Sequence, residues 1–260
     1  MEFESLLYGV ADHVATIAIN RPERRNAMSW TVMTELRQAF AAAKADEDAR
    51  VVVLTGAGDK AFSAGADLSG MAAGAGFAAL HDARGEMARL FREVWELGKP
   101  TVARVRGYAL AGGFGAALMC DVVIAADDAV FGTPEINVGL WPMMITVPML
   151  RSMPAKVALE LMMTGRRVPA AEALRIGFVN RVVAPDELDA AVAEVTSVLA
   201  AKSPSVMKLG RDAFYEVIDL DSARALPRLQ AGLTLVTQTE DAAEGLAAFA
   251  EKRDPVWKGR

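Results

Sequence analysis

Cysteine and histidine are scarce in this sequence of 260 residues. Cys120 is the single cysteine, and His13 and His81 are the only histidines. A single cysteine excludes an intrachain disulfide, and so few candidate ligands disfavour a metal centre built from cysteine and histidine. This cysteine usage is typical of a reducing cytosol, so we expect a cytoplasmic protein that holds no metal.

The sequence also lacks an excess of basic charge and long apolar runs. Lys and Arg number 28 against 33 Asp and Glu, a net charge of −5, which disfavours nucleic acid as a partner. Glu2 and Glu4 stand where an export signal would carry basic residues. The most apolar window, 140–150, contains Pro142 and Pro148 and is shorter than the roughly 20 residues of a membrane helix. We therefore expect neither export nor a membrane partner.

Hydrophobic residues make up 53% of the chain, enough for a sizeable core. Residues 14–20 predict a strand, Ser29 caps a helix predicted to end near Lys44, and the apolar run 51–55 predicts a strand buried on both faces. This alternation is typical of an α/β fold. We expect an α/β core over residues 1–200 and a helical region over residues 201–260.

Glycines cluster in three segments beside predicted strands or apolar runs, at residues 56–58, 62–67 and 111–115. Each segment can expose backbone N–H groups to a ligand, and the pair Gly112-Gly113 opens a predicted buried helix with a positive dipole end. Turns and tight helix packing are the competing interpretation, and for any single segment the sequence alone favours them.

Two known motifs are disfavoured, one by its context and the other by a missing glycine. Residues 56–61, GAGDKA, fit a dinucleotide-binding pattern, but the following residues lack the helical periodicity that this fold needs, so a nicotinamide cofactor is disfavoured. Residues 61–65, AFSAG, approach a serine-hydrolase elbow, but Ala61 replaces its first glycine.

Glu135 stands apart among the acidic residues because apolar residues surround it in AVFGTPEINVGL. An apolar setting raises the pKa of a carboxyl group and suits a general acid or base near neutral pH. The competing interpretation is an exposed acid in the turn that follows Pro134.

Seven stretches, in order, resemble the crotonase superfamily, the enoyl-CoA hydratase and isomerase family, over nearly the whole chain. They are NRPERRNAM (20–28), KAFSAGADL (60–68), RGYALAGGFGAALMCD (106–121), FGTPEINVG (131–139), LMMTGRRVPAAEA (161–173), IGFVNRV (176–182) and TEDAAEGLAAFAEKR (239–253).

The resemblance implies a fold, an assembly and a substrate class. The fold is a spiral of ββα turns with a C-terminal helical trimerisation region, and the assembly is a homotrimer or a hexamer formed by two trimers. The substrate is an acyl-CoA thioester, so coenzyme A arrives as part of the substrate and no separate cofactor is needed. In this family two backbone N–H groups form an oxyanion hole that stabilises an enolate.

The residues of this sequence that match the family's two oxyanion-hole positions are Ala66 and Gly112. The positions that resemble the family's coenzyme A contacts are Arg24, Ala27, Ala64, Phe249 and Lys252. Of these, Arg24 and Lys252 have an alternative interpretation as ordinary solvated charges.

One departure from the family pattern bears on the chemistry. Typical hydratases use two glutamates, and here Glu135 matches the second whereas Gly115 occupies the position of the first. Gly115, Trp141, Met143 and Met144 are predicted to form a narrow, apolar acyl pocket. We expect a lyase of the enoyl-CoA hydratase type that works with a single catalytic glutamate. The alternatives are a 3-enoyl to 2-enoyl-CoA isomerase and a non-catalytic acyl-CoA-binding homologue.

Overall fold

Two β-sheets form the centre of the computed structural model, which describes residues 2–67 and 76–260. The larger sheet has the order β1-β2-β3-β5-β7-β10, and the smaller one has the order β4-β6-β8-β9. The strands are β1 (Leu6–Ala11), β2 (Val14–Ile19), β3 (Val51–Gly56), β4 (Ala61–Ser63), β5 (Thr101–Val105), β6 (Tyr108–Leu110), β7 (Val122–Ala126), β8 (Val130–Gly132), β9 (Arg167–Pro169) and β10 (Arg181–Val183).

Ten α-helices are described around these sheets. They are α1 (Trp30–Ala45), α2 (Phe77–Trp95), α3 (Gly112–Leu118), α4 (Thr146–Ser152), α5 (Ala155–Thr164), α6 (Ala170–Ile176), α7 (Leu188–Ala200), α8 (Pro204–Val217), α9 (Ser222–Thr237) and α10 (Glu240–Glu251). None of these helices is long and apolar enough to cross a membrane.

A ββα unit repeats along the chain and stacks on itself. In each unit the first strand joins the large sheet and the second joins the small one, so that β3, β5 and β7 are parallel neighbours, as are β4, β6 and β8. The helices α2 and α3 follow the first two units. Parallel strands need such crossover connections, and the result is the spiral of ββα turns that the family resemblance implied.

The strand β3 shows how the sequence builds the core. All six of its residues are buried, and its first four alternate between two apolar clusters. Val52 and Leu54 face the main cluster, whereas Val51 and Val53 face a second cluster under α7. Because successive side chains point to opposite faces of a sheet, a continuous apolar run is required here.

Local signals explain where the site helices begin. The Ser29 hydroxyl accepts a hydrogen bond from the Val32 N–H at 3.3 Å and caps α1, as predicted. The helix α3 follows β6 directly and is buried along its length except at Gly112, its first residue. Its glycine-rich sequence lets it lie against β4, because a Cβ at Gly113 would be 2.4 Å from the Ser63 carbonyl oxygen.

A charged cluster joins the C-terminal helices to the α/β core. Arg211 of α8 donates from Nε to Asp121 at 2.8 Å and from its terminal nitrogens to the carbonyls of Val94 and Trp95. The Tyr215 hydroxyl donates to the same aspartate at 2.6 Å. Residues 201–260 therefore contact the core through a buried guanidinium, and the domain boundary near residue 200 stays a prediction.

Candidate active site

A mostly apolar cavity of about 360 Å³ lies between α1, α2, α3 and the segment that precedes α4. Its lining consists of methionines, two tryptophans and a few polar groups, namely Met28, Trp30, Met33, Ala66, Asp67, Arg84, Met87, Gly112, Glu135, Trp141, Pro142, Met143, Met144 and Ile145. The fold thus brings together in one cavity three residues singled out for chemistry: Ala66, Gly112 and Glu135.

The segments that contain Met28 and Ala66 run side by side and form one wall of the cavity. The Met28 N–H donates to the Gly65 carbonyl at 2.8 Å, and the Asp67 N–H donates to the Met28 carbonyl at 3.0 Å. Arg21 braces this pair, donating to the Ala27 carbonyl at 2.7 Å and to the Asp67 carboxylate at 3.1 Å. The arrangement holds the Ala66 backbone against the cavity.

The backbones of Ala66 and Gly112 are close neighbours. A Cβ placed on Gly112 would lie 3.9 Å from the Ala66 nitrogen. Among residues 2–67 and 76–260, neither N–H finds an acceptor. Gly112 is the first residue of α3, where the backbone N–H has no partner within the helix. Two adjacent N–H groups that remain available are the donors that an oxyanion requires.

Backbone strain marks the junction beside this pair. Ala111 has φ 52° and ψ −128°, a conformation that a residue with a side chain rarely adopts. Its N–H donates to the Gly132 carbonyl at 2.9 Å, which helps to hold it there. Gly65 has φ 97°, and its backbone lies so close to Ala111 that a Cβ on Gly65 would be 2.6 Å from the Ala111 Cβ. The strain therefore accompanies the close approach of the two N–H segments.

Glu135 supplies the carboxyl group of the cavity. It lies in a short 3₁₀ helix (Pro134–Val138) that follows β8, and it is half-buried. Its Oε2 atom is buried and has no hydrogen-bond partner among the described residues. Burial raises the pKa of Glu135 above the usual carboxyl value, and a hydrogen bond from its own backbone offsets part of this effect. A desolvated carboxyl group with one oxygen that has no partner can exchange a proton with a bound molecule.

Three of the predicted coenzyme A contacts lie close together, Arg24 and Ala27 in the segment before α1 and Ala64 directly after β4. The Ala27 N–H donates to the Arg24 carbonyl at 3.1 Å, and the Ala64 N–H donates to the Arg25 carbonyl at 2.9 Å. Phe249 and Lys252 lie elsewhere, at the end of α10, where Phe249 is 86% exposed. The roles of all five residues stay predictions.

The predicted acyl-pocket residues divide into two groups. Trp141, Met143 and Met144 line the cavity, whereas Gly115 does not. The Ile145 side chain lies against Gly115 and forms the wall in its place.

Several lining residues were missed at the sequence level. Trp30 and Met33 begin α1 and follow the NRPERRNAM stretch, so that stretch could have drawn attention to them. Met87 lay in the predicted helix 81–97, where its apolar face explained it as core. Leu68, the last residue of the KAFSAGADL stretch, lies outside the described residues.

The geometry agrees with the comparisons to known proteins. The family model described as enoyl-CoA hydratase/isomerase matches residues 9–260. The chain belongs to the enoyl-CoA hydratase/isomerase family. It is an enzyme of that family, and the predicted membership of the crotonase superfamily is confirmed.

Individual relatives are similar over almost the full length. A carnitinyl-CoA dehydratase of Escherichia coli K12 is 37% identical, and the alignment covers 95% of each chain. An enoyl-CoA hydratase of Mycobacterium smegmatis superposes with a TM-score of 0.93 at 35% identity, over 97% of this chain and 98% of that one. One from Bacillus anthracis has a TM-score of 0.93 at 34% identity, over 99% and 100%. These neighbours confirm the crotonase-type α/β fold and support a CoA-thioester lyase.

Proposed function

We propose that this enzyme adds water to, or removes it from, an acyl-CoA thioester, with Glu135 as its single catalytic carboxyl group. The observation that carries this proposal is the buried, unpartnered Oε2 of Glu135 in the same cavity as the N–H groups of Ala66 and Gly112. A carbonyl held by the two donors and a nearby base are the minimum needed for enolate chemistry.

In the hydration direction, the thioester carbonyl of a 2-enoyl-CoA accepts hydrogen bonds from Ala66 and Gly112. The Glu135 carboxylate takes a proton from a water molecule while the water oxygen bonds to C3, and the electron pair of the double bond moves toward the carbonyl to give an enolate. The protonated Glu135 then returns the proton to C2. Dehydration is the same sequence reversed, so one carboxyl group serves both steps.

The cavity also bears on the acyl group. Its exposed lining is dominated by hydrocarbon and methionine sulfur, with Trp30 and Trp141 as the largest side chains. Such walls favour an apolar acyl chain, and methionines adapt to irregular shapes. We therefore propose a bulky or aromatic apolar acyl group over a charged one, although a similar protein is a carnitinyl-CoA dehydratase.

Absorbance of the conjugated thioester tests the reaction type. Purified protein is given a short, a long and an aromatic 2-enoyl-CoA, and in parallel a 3-enoyl-CoA. The proposal predicts loss of the conjugated band with at least one 2-enoyl substrate and formation of the 3-hydroxyacyl product. Binding of every thioester without turnover would contradict it and would favour the non-catalytic homologue.

One observation favours a second candidate, the 3-enoyl to 2-enoyl-CoA isomerase. The wall at Gly115 and Ile145 is hydrocarbon, and a double-bond shift needs one base and no bound water. Deuterium from solvent at the distal carbon of the product, without net hydration, would support the isomerase over the lyase.

We further propose the homotrimer or its hexameric dimer as the assembly. The helix α9 buries none of its residues within the chain, and its leucines are exposed, as is Phe249 of α10. Exposed apolar faces of this kind mark protein interfaces. Light scattering coupled to gel filtration would distinguish a monomer, a trimer and a hexamer. The cytoplasmic location stays a prediction that imaging of a tagged protein can test.

A further inference from the structure

The space beside Gly115 is occupied by another side chain. A Cβ built on Gly115 would lie 2.3 Å from the Ile145 Cγ2 and 3.0 Å from both the Ile145 Cβ and the Phe91 Cζ. A contact of 2.3 Å is far shorter than a carbon–carbon contact at optimal separation, so Ile145 in its present position leaves no room for a side chain at position 115. The two residues are 30 positions apart in the chain and form one steric pair.

Ile145 is held firmly in this position. It is 3% exposed, belongs to the main apolar core and directly precedes α4, where its carbonyl accepts from the Met149 N–H at 3.0 Å. Thr146 fixes the preceding turn by donating from its hydroxyl to the Pro142 carbonyl at 2.9 Å. A β-branched side chain also has few χ1 rotamers available. Ile145 therefore acts as a rigid part of the cavity wall.

The wall lies close to the reacting carbons of the proposed substrate. Gly112 and Gly115 are three residues apart on α3, so they share one helix face and lie about 4.5 Å apart along its axis at the usual rise. That spacing is close to the distance between a thioester carbonyl carbon and C4, the carbon attached to C3 of the acyl chain. With the carbonyl at Gly112, an acyl chain that extends along α3 would bring the substituents of C3 to the Ile145 side chain.

We propose that Ile145 is a specificity-determining residue that selects acyl groups with one carbon substituent on C3 and rejects those with two. The inference rests on the proposed function, because the carbonyl position at Ala66 and Gly112 locates C3. Gly115 completes the device, since only glycine at that position leaves room for Ile145. At the position where typical hydratases carry a second glutamate, the pair therefore presents a hydrocarbon surface that contacts the acyl group.

The test compares crotonyl-CoA with 3-methylcrotonyl-CoA, which differ by one methyl group on C3. We measure kcat/KM for both substrates in the wild type and in Ile145→Ala, and for each protein we take the ratio of the two values. The intrinsic reactivities of the substrates cancel when the ratio of the variant is compared with that of the wild type. The ratio should shift toward 3-methylcrotonyl-CoA by about tenfold or more, the usual effect of one methyl group in a tight pocket. Leu150→Ala, which removes as many heavy atoms from an exposed side chain of α4 outside the cavity lining, should leave the ratio unchanged.

A second variant and a binding experiment keep the result interpretable. If Ile145→Ala is too unstable to assay, Ile145→Val should shift the ratio in the same direction by a smaller factor. Dissociation constants of butyryl-CoA and 3-methylbutyryl-CoA, measured by calorimetry, should show the same shift without turnover.

The outcomes separate the two proposals. An unchanged ratio in active Ile145 variants overturns the role of Ile145 and leaves the lyase intact. A wild type that hydrates none of the short, long and aromatic 2-enoyl thioesters, but whose binding selectivity shifts on substitution of Ile145, refutes the lyase and supports the selection. Binding selectivity that does not respond to Ile145 overturns this inference.

Discussion

Replacing Gly115 by alanine should not stabilise the protein and should destabilise it by up to about 2 kcal/mol, although the same change normally stabilises a helix. Alanine in a helix interior is favoured over glycine by about 1 kcal/mol. At position 115 the added Cβ would lie 2.3 Å from the Ile145 Cγ2, so one of the two must move within a close-packed core. Overpacking of this kind costs about 1–3 kcal/mol.

A matched control isolates the steric cost. Gly210 lies inside α8 and is exposed, and a Cβ added to it would meet no neighbouring atom within 4 Å. Because both substitutions gain the same helix propensity, the difference in unfolding free energy between Gly210→Ala and Gly115→Ala equals the clash, about 1–3 kcal/mol. Denaturant unfolding at one protein concentration measures both values, provided that the transitions are reversible.

A double-mutant cycle then identifies the partner. Ile145→Ala removes the atom that clashes, so Gly115→Ala should cost far less in that background than in the wild type. If Gly115→Ala proves as stabilising as Gly210→Ala, or if its cost persists without the Ile145 side chain, the steric pair does not exist as described.

The remaining predictions concern pH and the C-terminal helices. Burial raises the pKa of Glu135, and the carboxylate is the active base in hydration. As the pH is lowered, kcat/KM for hydration should therefore fall with a midpoint above the pKa of an ordinary glutamate. A midpoint at the ordinary value would contradict a desolvated Glu135. Because the pKa of Glu135 is raised in the folded state, the protonated carboxyl stabilises the fold. This contribution is full below the pKa of an unfolded Glu and is lost as the pH rises through the pKa of the folded state. The free energy of unfolding of Glu135→Gln should therefore rise relative to that of the wild type over this pH range, as measured by unfolding at several pH values. Arg211→Met should lower the free energy of unfolding by about 3 kcal/mol, because it leaves Asp121 without its buried cation. The control Lys208→Met removes an exposed ion pair on the same helix and should lower it by less than about 1 kcal/mol. Equal losses would contradict the importance of the buried pair.

The sequence predicted those elements whose pattern is complete within one segment. The helix α1 has its cap and its apolar face within 17 residues of sequence, and β3 is a single apolar run bounded by glycine. The strands β4, β6 and β9 have three residues each, too few for a periodic pattern, and exist because neighbouring strands pair with them. Their pairing depends on contacts that no local window contains.

The candidate site divides in the same way. Ala66, Gly112 and Glu135 were found because their motifs are local, and the structure places them in one cavity. The position of Ile145 against Gly115 could not be found, because it depends on how the segment before α4 packs on α3. The sequence predicted Gly115 as part of the pocket lining, whereas in the fold a residue 30 positions later provides that surface.

Proton transfer by Glu135 alone is the step on which the proposed lyase depends. Its decisive test measures hydration of the best 2-enoyl-CoA by the wild type and by Glu135→Gln, together with thioester binding by both proteins. We expect Glu135→Gln to bind the thioester still and to lose about a hundredfold to ten-thousandfold in kcat, as on removal of a general acid or base. Unchanged turnover in Glu135→Gln would show that another group performs the chemistry and would contradict the proposed mechanism.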